Sequence, residues 1–288
     1  MTRKLVDALA APALARQRHE VILAEVRRRG SVRVSDLAAL LAVSDMTIRR
    51  DLEALDAAGL LRKVHGGATA RDEHSSDEPG FDAKSRRNIA EKHAIALAAA
   101  SMVAAGSAIG ITAGTTTWQM AFHLVEIPNL TVVTNSVRVS EVLHRVPRPD
   151  RTVLLIGGER TPSDALVGSV ALATLRSLHL DTVYLGVHGM SHPEGYTTPN
   201  LEEAETNRAF VEATQQPIVL ADHTKWSVVG LRTIAPLERA SVVVSDTGLS
   251  AAARDTLDQH VPRTLLADPQ FNVVPAPADS GRMERRRA

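Results

Sequence analysis

The chain has 288 residues, no cysteine, and 33 basic against 33 acidic side chains. The absence of cysteine excludes disulfides, thiolate nucleophiles and cysteine-ligated zinc. No apolar run approaches the roughly eighteen residues of a membrane helix, and the N-terminus lacks a convincing signal peptide, so we expect a cytoplasmic protein without membrane contact. The length and the 44% hydrophobic content predict two domains.

A first helix is predicted at 17–29 and a short strand at 32–34. A second helix at 35–41, with Ser35 as its cap, is followed by a turn of three residues. Residues 59–68 alternate into a glycine pair, as the hairpin of a wing would. Together with the helix that follows the turn, these elements predict a winged helix-turn-helix domain over 14–70.

The helix after the turn has the pattern of a recognition helix. Ser44 can cap its N-terminus, and one face carries Ile48, Leu52 and Leu55 at positions i, i+4 and i+7. Because this apolar stripe must pack inside the domain, the other residues near the helix start face outward. The predicted DNA-facing set on this helix is Ser44, Met46, Thr47, Arg49 and Arg50, with Glu53 on the same surface.

The net charge of the whole chain is zero, but its N-terminal part is basic. Residues 1–70 contain twelve Lys/Arg and eight Asp/Glu, a net charge of +4, so the remainder carries −4. A winged helix can also mediate protein contacts, but the motif and the basic charge together favour double-stranded DNA as the partner. Because operators usually mirror protein two-fold symmetry, we expect a homo-oligomer, at least a dimer.

The stretch from about Arg18 to Ala68, ending in VSDMTIRRDLEALDAAGLLRKVHGGA, resembles the DNA-binding domain of the DeoR family of bacterial transcriptional regulators. The resemblance implies that Thr47, Arg49 and Arg50 lie on the DNA-facing surface. It further implies that the wing carries Arg62, Lys63 and His65.

A polar segment, 71–87, is predicted to be a linker, and residues 274–288 a mobile tail. Between them, 88–270 alternates helices with short apolar strands, which predicts an α/β domain with a mainly parallel sheet covered on both faces. The predicted helices are 88–104, one from Thr116, 136–145, 168–178, 202–213 and 249–258. The predicted strands are 107–112, 130–133, 152–156, 182–185, 218–221, 241–244 and 264–267.

Small and polar residues follow five of these strands, at 113–117, 134–136, 157–158, 186–189 and 221–225. Ligands of parallel sheets bind beyond the carboxyl ends of the strands, where glycine permits close backbone approach. Any one of these segments could be ordinary turn chemistry. Their joint occurrence, with Lys225 as a positive charge, predicts a pocket for a phosphorylated small molecule.

The region from about Asn88 to Leu266 again resembles the DeoR family, through AGTTT, VVTNS, LLIGG, YLGVHGM and VLADHTKW. The effector domain of that family is related to the ribose-5-phosphate isomerase and CoA-transferase-like fold and typically senses phosphorylated sugars. The resemblance implies ligand roles for Gly114, Thr115, Thr116, Asn135, Gly157, Gly158 and Lys225. His188 and Asp222, which lie in the same converging segments, complete the predicted effector site.

Two positions depart from the family pattern. Thr112 stands where an acidic residue often precedes Gly-Thr-Thr, and His188 stands where Asp or a small residue is common.

The alternative function is a sugar-phosphate isomerase or deaminase fused to a DNA-binding domain. Enolisation needs a positioned base, normally a carboxylate or histidine. The isomerases carry acidic residues in the loop that corresponds to 186–189, whereas this chain has none between Asp181 and Glu194, leaving His188 as the possible base. His188 and His192 sit in a loop with Gly189 and Pro193 and make no zinc motif.

We therefore predict a regulator rather than an enzyme, with no catalytic residue, metal or cofactor. The favoured function is a repressor of a carbohydrate operon that a phosphorylated sugar or related metabolite releases from DNA.

Overall fold

A computed structural model describes residues 15–29, 31–58, 60–64, 66–69 and 80–270. The chain divides into two compact units, 1–73 and 74–288. In the described part of the chain, no helix has the length and apolar character needed to cross a membrane. The predicted tail, 274–288, lies outside the described residues.

The first unit is a winged helix-turn-helix, as predicted. Its sheet has the order β1-β3-β2, and both pairings are antiparallel. The core contains Ile22 and Val26 of the first helix together with Ile48, Leu52 and Leu55 of the third. In chain order the elements are α1 (Ala15–Arg29), β1 (Ser31–Arg33), α2 (Val34–Leu41), α3 (Asp45–Ala57), β2 (Arg62–Val64) and β3 (Gly67–Thr69).

The turn between α2 and α3 is built from local backbone chemistry. Ala42 adopts a left-handed conformation with φ of 52°, and the N–H of Val43 donates to the carbonyl of Ala38 at 3.2 Å. The Ser44 hydroxyl accepts from the N–H of Thr47 at 3.2 Å, which confirms Ser44 as the cap of α3. Ser35 does not cap α2, because that helix begins one residue earlier and has Arg33 at its N-cap.

The wing depends on its glycine pair. Gly66 has φ of +79°, a conformation that side chains disfavour. At Gly67, a Cβ atom would lie 2.1 Å from the carbonyl oxygen of Val32, because β3 pairs closely with β1. The glycines therefore allow both the hairpin turn and the central position of β3.

The second unit is an α/β domain with a seven-stranded sheet in the order β15-β14-β12-β9-β4-β5-β6, all parallel. Its helices are α4 (Phe81–Ser85), α5 (Ile89–Ala100), α6 (Thr115–Ala121), α7 (Val137–Arg145), α8 (Ser169–Leu175), α9 (Leu201–Glu212) and α10 (Ala251–His260). Its sheet strands are β4 (Ala108–Ile111), β5 (Thr131–Thr134), β6 (Thr152–Leu155), β9 (Thr182–Gly186), β12 (Pro217–Leu220), β14 (Val242–Asp246) and β15 (Thr264–Ala267).

The sheet order reverses between β4 and β9. From β4 the chain proceeds to β5 and β6 on one side, and then crosses back to build β9, β12, β14 and β15 on the other. In open α/β sheets such a reversal opens a crevice beyond the strand ends, where ligands bind. The residues after Ile111 and Gly186 therefore lie at the expected position of a binding site.

Two small sheets were missing from the sequence prediction. β10 (Gly189–Ser191), β11 (Gly195–Thr198) and β13 (Arg232–Ala235) form an antiparallel sheet, and β7 (Glu159–Arg160) pairs with β8 (Leu166–Val167). These strands have two to four residues each, too few to show an alternating pattern.

The segment 71–87, predicted to be a linker, contains α4 and the residues that lead into α5. Residues 71–79 lie outside the described part of the chain, whereas Phe81 is buried and the N–H of Phe81 donates to the carbonyl of Pro162 at 3.2 Å. This short helix is therefore part of the α/β unit, and Phe81 is its one buried side chain.

Candidate functional site

The outward face of α3 carries the side chains predicted to meet DNA. Met46 is 62% exposed, and Arg49 and Arg50 are exposed, while Ile48 on the opposite face is fully buried. Thr47 is half-buried, and its hydroxyl lies 2.9 Å from that of Ser44. The two arginines thus project from the first two turns of a helix whose apolar face is fixed in the core.

One wing residue contacts the recognition helix. Lys63 on β2 donates from Nζ to Oε1 of Glu53 on α3 at 2.5 Å. This hydrogen bond lowers the pKa of the Glu53 carboxyl, although both side chains are exposed. Lys63 therefore joins the wing to α3. His65 and the side chain of Arg62 lie outside the described residues.

The face of α3 toward α1 holds a buried ion pair that the sequence analysis missed. Asp51 is 6% exposed and accepts two hydrogen bonds from Arg18, from Nε at 2.8 Å and from Nη2 at 3.0 Å. The Nε2 atom of His19 lies 3.1 Å from the same carboxylate. Burial alone would raise the pKa of Asp51, but the hydrogen bonds outweigh it and the pKa lies below its usual value.

We expect Asp51→Ala to lower the free energy of unfolding of the DNA-binding unit by about 2 to 3 kcal/mol, because it removes the carboxylate that accepts two hydrogen bonds from a largely buried guanidinium. Since the folded-state pKa of Asp51 is depressed, its contribution is complete above the unfolded-state pKa of about 3.9 and is lost as the pH falls through the folded-state value. Urea unfolding of wild type and variant checks both points. Equal stability of the two proteins at neutral pH would contradict this role.

An open cavity lies at the reversal point of the sheet. It has walls from the ends of β4, β9 and β12, from α4, from α9 and from the loops after β7 and β11. The predicted residues Gly114, Thr115, Thr116, His188 and Lys225 line it. The other lining residues are Lys84, Ala113, Ser163, Gly186, Val187, Thr198, Pro199, Glu203, Asn207, Leu220 and Ala221.

Hydrogen bonds fix the floor of this cavity. The Thr112 hydroxyl accepts from the N–H of Gly186 at 2.9 Å, which ties the end of β4 to the end of β9. The Thr117 hydroxyl lies 2.7 Å from the carbonyl of Thr112, to which it donates. The uncharged residue at 112 therefore has a structural role, because it joins the two strands between which the cavity opens.

Four predicted ligand residues do not line the cavity. Asn135 supports it from behind, accepting from the N–H of Ala113 at 2.8 Å and donating to the carbonyl of Leu166 at 3.3 Å. A Cβ at Gly157 would lie 2.9 Å from Cγ1 of Val170, and one at Gly158 only 2.1 Å from the carbonyl oxygen of Val167. Both glycines are thus explained by close packing. The fourth, Asp222, lies just beyond the cavity wall.

A buried lysine, Lys92 of α5, lies among several charges near this wall. It is 3% exposed, and Nζ donates to the carbonyls of Lys84 at 2.6 Å and Arg87 at 2.7 Å. Burial lowers its pKa to about 8; Asp222 acts in the opposite direction, and Lys225, Arg87 and Lys84 lower it further. The neighbourhood is therefore positive even with Asp222 included.

Asp222 accepts through Oδ1 from Asn88 Nδ2 and from the N–H of Thr224, both at 3.1 Å. Its second carboxylate oxygen is buried and has no hydrogen-bond partner in the described part of the chain.

Five polar residues of the cavity were not predicted from the sequence: Lys84, Ser163, Thr198, Glu203 and Asn207. Lys84 donates from Nζ to the Ser163 hydroxyl at 2.7 Å, and Glu203 accepts from the Thr161 hydroxyl at 2.6 Å. Lys84 falls in the predicted linker, and Glu203 and Asn207 are on a helix rather than at a strand end. In the sequence, Glu203 and Asn207 are related only by a spacing of four residues, which is about one helical turn.

A second titratable pair follows β12 and β14. His223 Nδ1 lies 2.8 Å from Oδ1 of Asp246, and this hydrogen bond raises the pKa of the imidazole. Neither residue lines the cavity. Across the described ranges there is no group of three or more His, Asp or Glu side chains placed to hold a metal ion.

The fold defines a class of protein in which a winged helix-turn-helix is joined in one chain to an α/β domain with a cavity at the reversal point of its sheet. Residues 18–74 match the family model of the DeoR-like helix-turn-helix domain, and residues 87–247 match that of the DeoR C-terminal sensor domain. The chain belongs to the DeoR family and is a DNA-binding transcriptional regulator.

Curated relatives match over most of their length. A putative aga operon transcriptional repressor of Escherichia coli O157:H7 is 32% identical over 84% of this chain and 90% of its own. A lactose phosphotransferase system repressor of Staphylococcus aureus is 32% identical over 80% of this chain and 91% of its own. Among solved structures, ribose 5-phosphate isomerase A from Neisseria gonorrhoeae matches 49% of this chain and 54% of its own, with 20% identity and a TM-score of 0.34.

Proposed function

We propose that this protein is a repressor of a carbohydrate operon and that a phosphorylated sugar, bound in the cavity at the end of β4 and β9, lowers its affinity for the operator. The observation that carries the proposal is the cavity itself, which combines a lysine with no side-chain partner in the described residues, Lys225, with the hydroxyl residues Thr115 and Thr116. The relatives named as repressors of sugar systems support the same function.

The charge around the cavity favours an anion. Lys84 and Lys225 line it, and Lys92 is buried behind it with Arg87 nearby. The pKa of Lys92 is lowered chiefly because the ammonium is buried, and repulsion from Lys225, Arg87 and Lys84 lowers it further. A phosphate would relieve that repulsion and accept charge-assisted hydrogen bonds from the lysines and hydroxyls.

Two further lining residues suit a sugar. Glu203 and Asn207 project from α9, one turn apart, and together offer a carboxylate and an amide. Carboxylate and amide groups can accept from and donate to adjacent hydroxyls. The Thr161 hydroxyl holds Glu203, so its position is fixed before a ligand arrives. The cavity thus combines cations that can bind phosphate with hydrogen-bonding groups that can bind a polyol.

The mechanism we propose is thermodynamic linkage. The ligand binds more tightly to an arrangement of domains or subunits in which the recognition helices are poorly spaced for the operator, so DNA affinity falls. This requires a homo-oligomer, at least a dimer, with each α3 reading one half-site.

The test is a gel shift on DNA from the protein's own promoter region, with a panel of hexose, pentose and hexosamine monophosphates. Each compound is paired with its free sugar and with inorganic phosphate as controls. We expect a specific shifted band that one or more phosphosugars remove and the matching free sugars do not. A specific complex that survives the whole panel would overturn the effector half of the proposal.

The rival function is an isomerase or deaminase that uses the same cavity. Glu203 supplies a carboxylate, whereas residues 182–193 include no acidic side chain. We propose binding rather than turnover, because the Thr161 hydroxyl already donates to this carboxylate and holds it as a hydrogen-bonding group, and because the curated relatives are named as repressors. Product formation from the releasing phosphosugar, abolished in Glu203→Gln, would favour the enzyme instead.

A further inference from the structure

The helix α4 occupies a special place in the chain. It is the first described element after the DNA-binding unit, and only the ten positions 70–79 separate β3 from Gly80, its N-cap. The two family models end at 74 and begin at 87, so α4 lies between them and is part of neither. Any movement of α4 therefore acts on the point where the chain leaves the α/β unit for the DNA-binding unit.

Lys84 puts α4 into the wall of the cavity. Its ammonium donates to the Ser163 hydroxyl at 2.7 Å, and both residues line the space that Thr115, Thr116 and Lys225 share. An anion that enters this space meets Lys84 directly and competes with the hydroxyl for its donors. Ligand binding thus changes the contacts of α4 itself.

A second contact joins α4 to the ligand-facing helix α6. Phe81 packs edge-on against Trp118 with ring centroids 5.5 Å apart, and the Arg138 guanidinium lies 5.1 Å from the centre of the Phe81 ring. Trp118 is only two residues beyond Thr116, which lines the cavity. The start of α6 would therefore contact the ligand, and the next residues of the same helix contact α4.

The attachment of α4 is modest, which suits a moving part. The helix has five residues, of which only Phe81 is buried. The remaining anchors are polar, and the chief of them is the buried Lys92, which donates to the carbonyls of Lys84 and Arg87. Segments with few buried apolar contacts are those that open or shift at low cost.

We propose that α4, which Lys84 joins to the cavity wall, transmits the occupancy of the cavity to the DNA-binding unit. The proposal rests on the function proposed above. Effector binding engages Lys84 and the start of α6 together, shifts the attachment of Phe81 against Trp118, and so changes how the chain enters the DNA-binding unit. The affinity for the operator then depends on how α4 is attached to the α/β unit.

The experiment uses full-length protein and two readouts for each phosphosugar of the panel. One is the ligand dissociation constant from calorimetry, and the other is the ratio of operator dissociation constants with and without saturating ligand. For Phe81→Ala, which touches α4 but not the cavity, we expect ligand affinity within about threefold of wild type and a release ratio at least fivefold smaller. For Lys84→Met, ligand affinity should fall about tenfold or more, and Lys84→Arg should restore it.

Arg86→Met is the matched control, because Arg86 is an exposed cation beside Lys84 that does not line the cavity. It should match wild type in both readouts. A Phe81→Ala protein that releases its operator like wild type, or a Lys84→Met protein with unchanged ligand affinity, overturns the inference while the proposed function stands. If no phosphosugar changes operator affinity in wild type, the proposed function fails.

Discussion

Replacing Arg50 with Ala should weaken operator binding by about 1 to 3 kcal/mol, or roughly 5- to 150-fold, and leave the domain folded. Arg50 is exposed on α3, whereas the adjacent positions Ile48 and Leu52 are buried in the core of the unit. Truncation should therefore remove the expected contact to DNA without opening a cavity. Fluorescence anisotropy on a labelled operator measures the loss, and circular dichroism checks the fold.

Arg49→Ala should cause a loss of operator affinity of similar size, because Arg49 is exposed on the same turn of the helix as Arg50. The matched control is Arg176→Ala, which removes an exposed arginine at the end of α8 in the other unit and should bind the operator like wild type. Wild-type footprints for both α3 variants would exclude α3 as the recognition helix.

The second large effect is expected at Lys225. Lys225→Ala should weaken phosphosugar binding by about 1.5 to 3 kcal/mol, roughly 10- to 150-fold, because a charge-assisted hydrogen bond to phosphate is lost. At ligand concentrations that release wild type, the variant should stay on its operator and act as a repressor that is no longer induced. Calorimetry with the releasing phosphosugar measures the binding loss directly.

Two comparisons make this result specific. Lys225→Arg keeps the charge and should recover part of the affinity, whereas Arg145→Ala removes an exposed cation at the end of α7, outside the cavity, and should bind ligand normally. Because Lys225 contributes to the low pKa of Lys92, Lys225→Ala should also raise that pKa above about 8. Full ligand affinity in Lys225→Ala would place the phosphate elsewhere.

The helix-turn-helix and the parallel sheet were predictable because their patterns are local. Ile48, Leu52 and Leu55 repeat at helical spacing, and each strand of the large sheet is a short apolar run. The ion pair between α3 and α1 was not predictable, since Asp51 and Arg18 are 33 positions apart and no local sequence rule relates them.

The cavity was predicted in part, and its limits have a physical reason. Strand ends of a parallel sheet converge by topology, so Gly114, Thr115, Thr116, His188 and Lys225 could be placed together from the sequence. Lys84 and Glu203 reach the same space through long-range packing, from a segment that looked like a linker and from the start of a helix. For α4, one buried aromatic residue within a polar stretch gave no periodic signal.

The central claim is that the operator site and the sugar-phosphate cavity are coupled, and reciprocity tests it most directly. Operator affinity is measured with and without saturating phosphosugar, and phosphosugar affinity is measured with and without saturating operator, on the same full-length protein. Linkage requires both affinities to fall by the same factor, which we expect to lie at roughly 5- to 150-fold. A phosphosugar that binds the cavity and leaves operator affinity unchanged would contradict the account.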